Sequence, residues 1–154
     1  MKKARKEEDM NKELIVKKDY SLILERAKEA IIKIETIEEA KEHVDKSAAL
    51  KKYAEGKNIG LEGQNALAEY NIRAERRAGQ LLIEMAERGE RSMGGRPRET
   101  KGATPFVLPE LEDFNFTVDM SKRCQRLARI PEKEFEEKLK EFQEEFKELT
   151  KKAL

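Results

Sequence analysis

The chain has 154 residues and sets 33 lysines and arginines against 32 acids, a net charge of +1 at pH 7. That length holds one modest domain or two small helical modules. The charge balance excludes a protein drawn to nucleic acid by its total charge, so any such attraction must come from uneven distribution.

Residues 1–18 mix lysine and glutamate with little periodicity and read as a charged tail. From Tyr20 the spacing becomes regular: Tyr20, Leu24, Ala27, Ile31 and Ile34 step by four and three, as the seam of a packed helix does. Thr36 can cap a second helix, with Glu39 closing a capping box and Ile37, Ala40, Val44 and Ala48 as its buried face. Gly56, Asn58 and Gly60 mark its end. A third helix is predicted from Leu61 or Glu62 to about Arg88. Leu67, Asn71, Ala74, Ala78, Leu81 and Met85 form its seam, where a polar Asn71 can fix register. Gly63 and Gly79 weaken this helix by about 1 kcal/mol each relative to alanine. The short turn at 56–60 predicts an antiparallel hairpin, so residues 19–88 form a helical hairpin or coiled-coil module.

Residues 89–105 then read as a flexible linker rich in glycine, proline and arginine. Arg91, Arg96, Arg98 and Lys101 make its 91–104 stretch basic against Glu99 alone. Residues 106–154 carry a short helical turn at Leu108–Phe114, a turn at Asn115 tolerant of positive φ, and a helix from Val118 to Arg129 capped by Thr117. Pro131 opens a last helix with Phe135, Leu139, Phe142, Phe146 and Leu149 stepping four, three, four, three. That stripe can pack on the chain's own hairpin or on a second copy. The expected arrangement is a homodimer or higher homo-oligomer, because a helix exposing such a stripe alone would aggregate and a DNA-reading helix gains from two-fold symmetry.

Elsewhere lysine and arginine alternate with glutamate, as solvated faces do. In 117–130 they do not: Lys122, Arg123, Arg126 and Arg129 face Asp119 alone. At 100° per residue, Met120, Cys124 and Leu127 share one side of the helix, with Lys122, Gln125 and Arg129 on the other and Arg126 close by. Apolar within, basic and amide without, after a short turn: this is a helix-turn-helix pattern, whose second helix enters the major groove. Arginine and lysine suit guanine edges and phosphates, and the Gln125 amide suits adenine. Thr117 and Ser121, near the amino end, can bond a phosphate. The nucleic-acid candidates are therefore Thr117, Ser121, Lys122, Gln125, Arg126 and Arg129, with Arg96 and Arg98 in the linker.

The stretch resembles a family of small phage- and prophage-encoded proteins with a helix-turn-helix segment near the carboxyl end. Their pattern runs roughly Leu-Gly-Ile-Ser, three residues, Ser-x-Arg-Trp-Gln-x-Leu-Ala-x-Ile-Pro, three residues, Phe. Phe114 and Asn115 stand at Leu-Gly, and Phe116 and Thr117 at Ile-Ser. Ser121, Arg123, Gln125, Leu127, Ala128, Ile130, Pro131 and Phe135 match directly, while Cys124 replaces the tryptophan and leaves volume to be filled. The resemblance extends to "RAERRAGQLL" (Arg73–Leu82) and "GGRP" (Gly94–Pro97), in the same order. It implies binding of double-stranded DNA in a phage setting. "GGRPRE" is also similar to the core of an AT-hook, in which Arg96 would enter the minor groove.

Arg73, Arg76 and Arg77 could touch phosphates, or pair with Glu69 or Glu84 on a solvated face. His43 reads as an exposed helical residue. With no nucleophile–base pair, phosphate loop or metal-ligand spacing, no enzyme and no cofactor or metal is expected. One cysteine suits a reducing cytoplasm, and no apolar run approaches the ~20 residues of a membrane span. The fold class expected is all-α, with a basic linker between hairpin and helix-turn-helix. The function expected is a DNA-binding regulator or replication accessory. The alternative is a helical adaptor that binds or inhibits a host or phage protein.

Overall fold

The computed structural model describes residues 20–57, 59–92 and 108–144, the side chains of Phe142 and Gln143 excepted. Among these residues the secondary structure is all helical. Helix α1 covers residues 20–32. It is followed by α2 (Ile37–Glu55), α3 (Leu61–Glu87), a single 3-10 turn (Leu111–Phe114), α4 (Val118–Arg129) and α5 (Glu132–Glu144). No helix among the described residues is long and apolar enough to cross a membrane.

The expected seams bury as their spacing requires. Leu24, Ala27, Ile31 and Ile34 pack inward, as do Leu67, Asn71, Ala74, Ala78 and Leu81. Thr36 caps α2 by accepting from the Glu39 N–H at 3.3 Å, and the Glu39 carboxylate reaches back to the Glu35 N–H. One position on α2 differs from the expected face: Ala48 is exposed and Ser47 is fully buried. The reason is Asn71 opposite. Its amide donates to Ser47 Oγ at 2.9 Å and towards the Val44 carbonyl, while Ser47 donates to that same carbonyl. A buried polar pair needs such mutual satisfaction, and it holds α2 and α3 in one register.

His43 also departs from its expected exposure. It is half-buried, with Nδ1 2.6 Å from the Tyr70 hydroxyl. Burial raises the tyrosine pKa, and burial with Lys46 beside it lowers that of the imidazole, against Glu42 and Glu39. The hydroxyl therefore donates and the neutral imidazole accepts. A histidine held below its ordinary value of 6.5 leaves the unfolded chain binding the proton more readily. Stability from this pair is complete above that pH and declines as pH falls through the folded value. Denaturant unfolding at pH 7 and pH 5 should give a smaller loss for His43→Gln than for the wild type.

Helix α3 is the axis of the fold, buried on most of its circumference. One core joins α1, α2 and α3 to Phe116 and Cys124. A second joins Ala68 and Ile72 of α3 to Leu127, Phe135 and Leu139. Small residues on α3 let its neighbours come close. A Cβ on Gly63 would stand 3.0 Å from the Tyr20 ring, and one on Gly79 would stand 2.0 Å from the Cys124 carbonyl oxygen. The two glycines expected only to weaken α3 are contact points for α1 and α4. The α4 backbone at Cys124 thus lies directly against α3 at Gly79.

The "RAERR" stretch ties this axis to its surroundings. Arg73 bonds Glu69 within α3 and grips both oxygens of Glu136 on α5 at 2.6 and 2.8 Å. Arg76 donates to the Ile130 carbonyl at the end of α4, and Arg77 gives two hydrogen bonds to the Ile34 carbonyl after α1. Glu75, 1% exposed, accepts two bonds from Arg123 of α4. Arg73 does pair with Glu69, but at a carboxylate only 2% exposed and not on a solvated face, and Glu84 pairs with Arg88 instead.

Ser92, beyond the end of α3, lies beside Pro109, ahead of the 3-10 turn. The Ser92 N–H donates to the Pro109 carbonyl at 2.8 Å. Arg91, expected to belong to the basic linker, is turned inward and is 5% exposed, donating to the Leu82 and Ser92 carbonyls. Most of the remaining linker, with Arg96, Arg98 and the AT-hook-like segment, lies outside the described residues.

Candidate nucleic-acid interface

Local chemistry sets up α4. Glu110 and Asp113 form a reciprocal capping box on the 3-10 turn, and Asn115 ends it in the left-handed region at φ 61°. An asparagine tolerates that conformation at little cost. The turn leaves Phe116 free to insert into the core, where it is 2% exposed. Thr117 then caps α4, its hydroxyl oxygen accepting from the Met120 N–H at 3.1 Å. The expected first helix of the motif is thus one 3-10 turn of four residues.

The faces of α4 separate by type. Cys124 and Leu127 are buried, with Met120 and Ala128 half-buried. Lys122, Arg126 and Arg129 are exposed, as is Val118 at 59%. Spaced four and three apart, the three cations form a stripe about 10 Å long at 1.5 Å per residue. Among the described residues none of the three has an ion-pair partner. Asp119 shares the helix but stands in its first turn, where the dipole favours an acid.

Other candidates sit differently. Ser121 is 2% exposed and accepts from the Gln125 amide at 2.8 Å, which takes its hydroxyl inside, away from the phosphate-binding position expected of it. Gln125 is half-buried through the same bond. Thr117 is exposed, and its hydroxyl hydrogen is free to donate while the oxygen caps. Arg123, one of the four cations of the stretch, turns to Glu75, whose hydrogen bond raises its pKa against the opposing effect of burial. Sequence reasoning did not single out Lys133, exposed on the first turn of α5.

The aromatic stripe resolves in part towards the chain itself. Phe135 is 1% exposed and Leu139 3%, both packed on Ala68, Ile72 and Leu127. These two side chains are spent on the intramolecular core, so the self-association contact expected of them is not available. The Phe142 side chain, Phe146 and Leu149 lie outside the described residues.

No family model, no curated protein and no solved structure matches this chain.

Proposed function

We propose that the chain binds duplex DNA through the outward face of α4, as a small phage-type regulator or replication accessory in which the 3-10 turn and α4 act as a reduced helix-turn-helix. The observation that carries the reading is the stripe Lys122, Arg126 and Arg129, exposed and without acid partners among the described residues. The inward arginines of the same region, by contrast, are all engaged with protein acceptors. Cations held on a rigid helix and left uncompensated are what a phosphate backbone requires. Arg126 suits a guanine edge, a pairing worth about 1–3 kcal/mol of discrimination, whereas Gln125 would reach an adenine edge only by giving up its bond to Ser121. Thr117 and the amino end of α4 suit a phosphate. Two copies on a two-fold site would extend the short stretch one helix reads, assembled through residues other than Phe135 and Leu139.

The test is a fluorescence-anisotropy titration of a mixed-sequence duplex at several salt concentrations, with the Lys122→Ala/Arg126→Ala/Arg129→Ala variant beside the wild type. All three side chains are exposed, so the variant should fold normally. Its affinity should fall at least tenfold, and its salt slope should flatten by about one for each phosphate no longer neutralised. Equal affinities and slopes would sink the reading.

A further inference from the structure

Away from the outward stripe, α1, α3 and α5 enclose a groove of about 560 Å³. Its donors come from one side of α3: Arg76, Arg77 and Gln80. Its apolar wall is Ile31 and Ile32 of α1 with Phe135 of α5. Ile32 is 82% exposed, the most exposed of the large hydrophobic side chains among the described residues.

The donors exceed what the protein accepts. Each guanidinium offers about five N–H groups in a planar fork. Arg76 places one on the Ile130 carbonyl and lies over the Phe135 ring with its Nε buried against the protein, which leaves the rest of its fork for the groove. Arg77 holds the Ile34 carbonyl and donates to Gln80 Oε1, which leaves the Gln80 amide hydrogens unclaimed among the described residues. Neither arginine hydrogen-bonds a carboxylate among those residues. The neighbouring cations differ: Arg73 is gripped by Glu69 and Glu136, and Lys28 pairs with Glu25 and Glu69. Glu132 and Glu136 also line the groove and support the Arg76 charge, without closing a hydrogen bond to it, against three cations of α3 and Lys28. Partial burial disfavours the Arg76 charge and lowers its pKa, so an added anion would support it.

Guanidinium forks match a carboxylate or a phosphate bidentately, and the apolar wall favours the carboxylate, which can be carried beside a hydrophobic group. A volume in the range of small-ligand sites holds a few side chains and excludes a DNA duplex. We propose that this groove is a docking site for a partner protein, taking a glutamate or aspartate side chain flanked by an apolar residue. The site is separate from the α4 face and does not depend on duplex binding there.

The experiment is an amide-resonance titration of the full chain with three probes. These are the capped peptide acetyl-Leu-Glu-Leu-Phe-amide, its glutamine counterpart acetyl-Leu-Gln-Leu-Phe-amide, and inorganic phosphate. The glutamate peptide should shift the amides of Ile32, Arg76 and Gln80 saturably, and the glutamine peptide should bind at least tenfold more weakly. Gln80→Glu puts a competing carboxylate in the groove without removing an arginine clasp. It should weaken the glutamate peptide at least tenfold with an unchanged melting temperature, and Ile32→Asp should act the same way. Equal binding of the two peptides, shifts confined to α4, or phosphate binding as well as the peptide would each overturn the proposal.

Discussion

Phe135→Ala is expected to destabilise the protein by about 3–5 kcal/mol, the range for removing a buried aromatic side chain without collapse of the site. Phe135 is 1% exposed and fills the space between Ile72, Leu127 and Leu139. Two guanidinium groups lie over its ring, Arg76 at 4.7 Å and Arg73 at 5.6 Å from the centroid. Truncation would leave these cations facing a void and would release α5 from the axis. Phe135→Leu keeps most of the apolar volume and should lose less than half as much. Chemical denaturation at fixed protein concentration measures both. The same substitutions separate two roles for the side chain. A core residue lowers stability equally at all protein concentrations, whereas an interface residue gives a loss that shrinks on dilution.

Gly79→Ala should also destabilise, by about 1–2 kcal/mol, although alanine is the better helix former. The propensity gain is about 1 kcal/mol. Opposing it, the new methyl would stand 2.0 Å from the Cys124 carbonyl oxygen, 2.3 Å from its carbon and 2.8 Å from the Gln125 nitrogen. These are backbone atoms, which no rotamer change can move aside. Reaching ordinary contact at 3.4 Å requires α4 to withdraw by 3.4 − 2.0, about 1.4 Å. Overpacking of this kind costs about 1–3 kcal/mol or more, and withdrawal also lengthens the Arg123–Glu75 ion pair across the same interface. A rise in the unfolding midpoint of Gly79→Ala would show that the two helices are not held at this distance in solution.

Much of the fold was legible because helical period decides what a strongly amphipathic helix buries. The seams of α1 and α3, the Thr36 and Thr117 caps, the left-handed Asn115 and the limits of α4 all follow from local chemistry. The misplacements came from partners distant in sequence. Nothing near Ser47 announces that Asn71, 24 residues on, will make it the buried residue in place of Ala48. Gly79 looks like a defect in α3 until α4 crosses it. Arg73, Arg76, Arg77, Arg91 and Arg123 are indistinguishable by type from Lys122, Arg126 and Arg129. Which cations face inward depends on buried acceptors: the Ile34, Ile130 and Leu82 carbonyls and the Glu75 carboxylate. Within α4 the period alone separated Lys122 and Arg129 from Cys124 and Leu127. It could not foresee that Ser121 and Gln125 would bond to each other.

The seven-residue interval from Lys122 to Arg129 is set by the pitch of a helix whose opposite face is packed. One residue inserted between them would turn the cations beyond it by about 100° around the axis. It would also unseat Cys124 or Leu127 from the core. Evolution can therefore exchange these side chains for one another but cannot respace them without repacking α4 on α3.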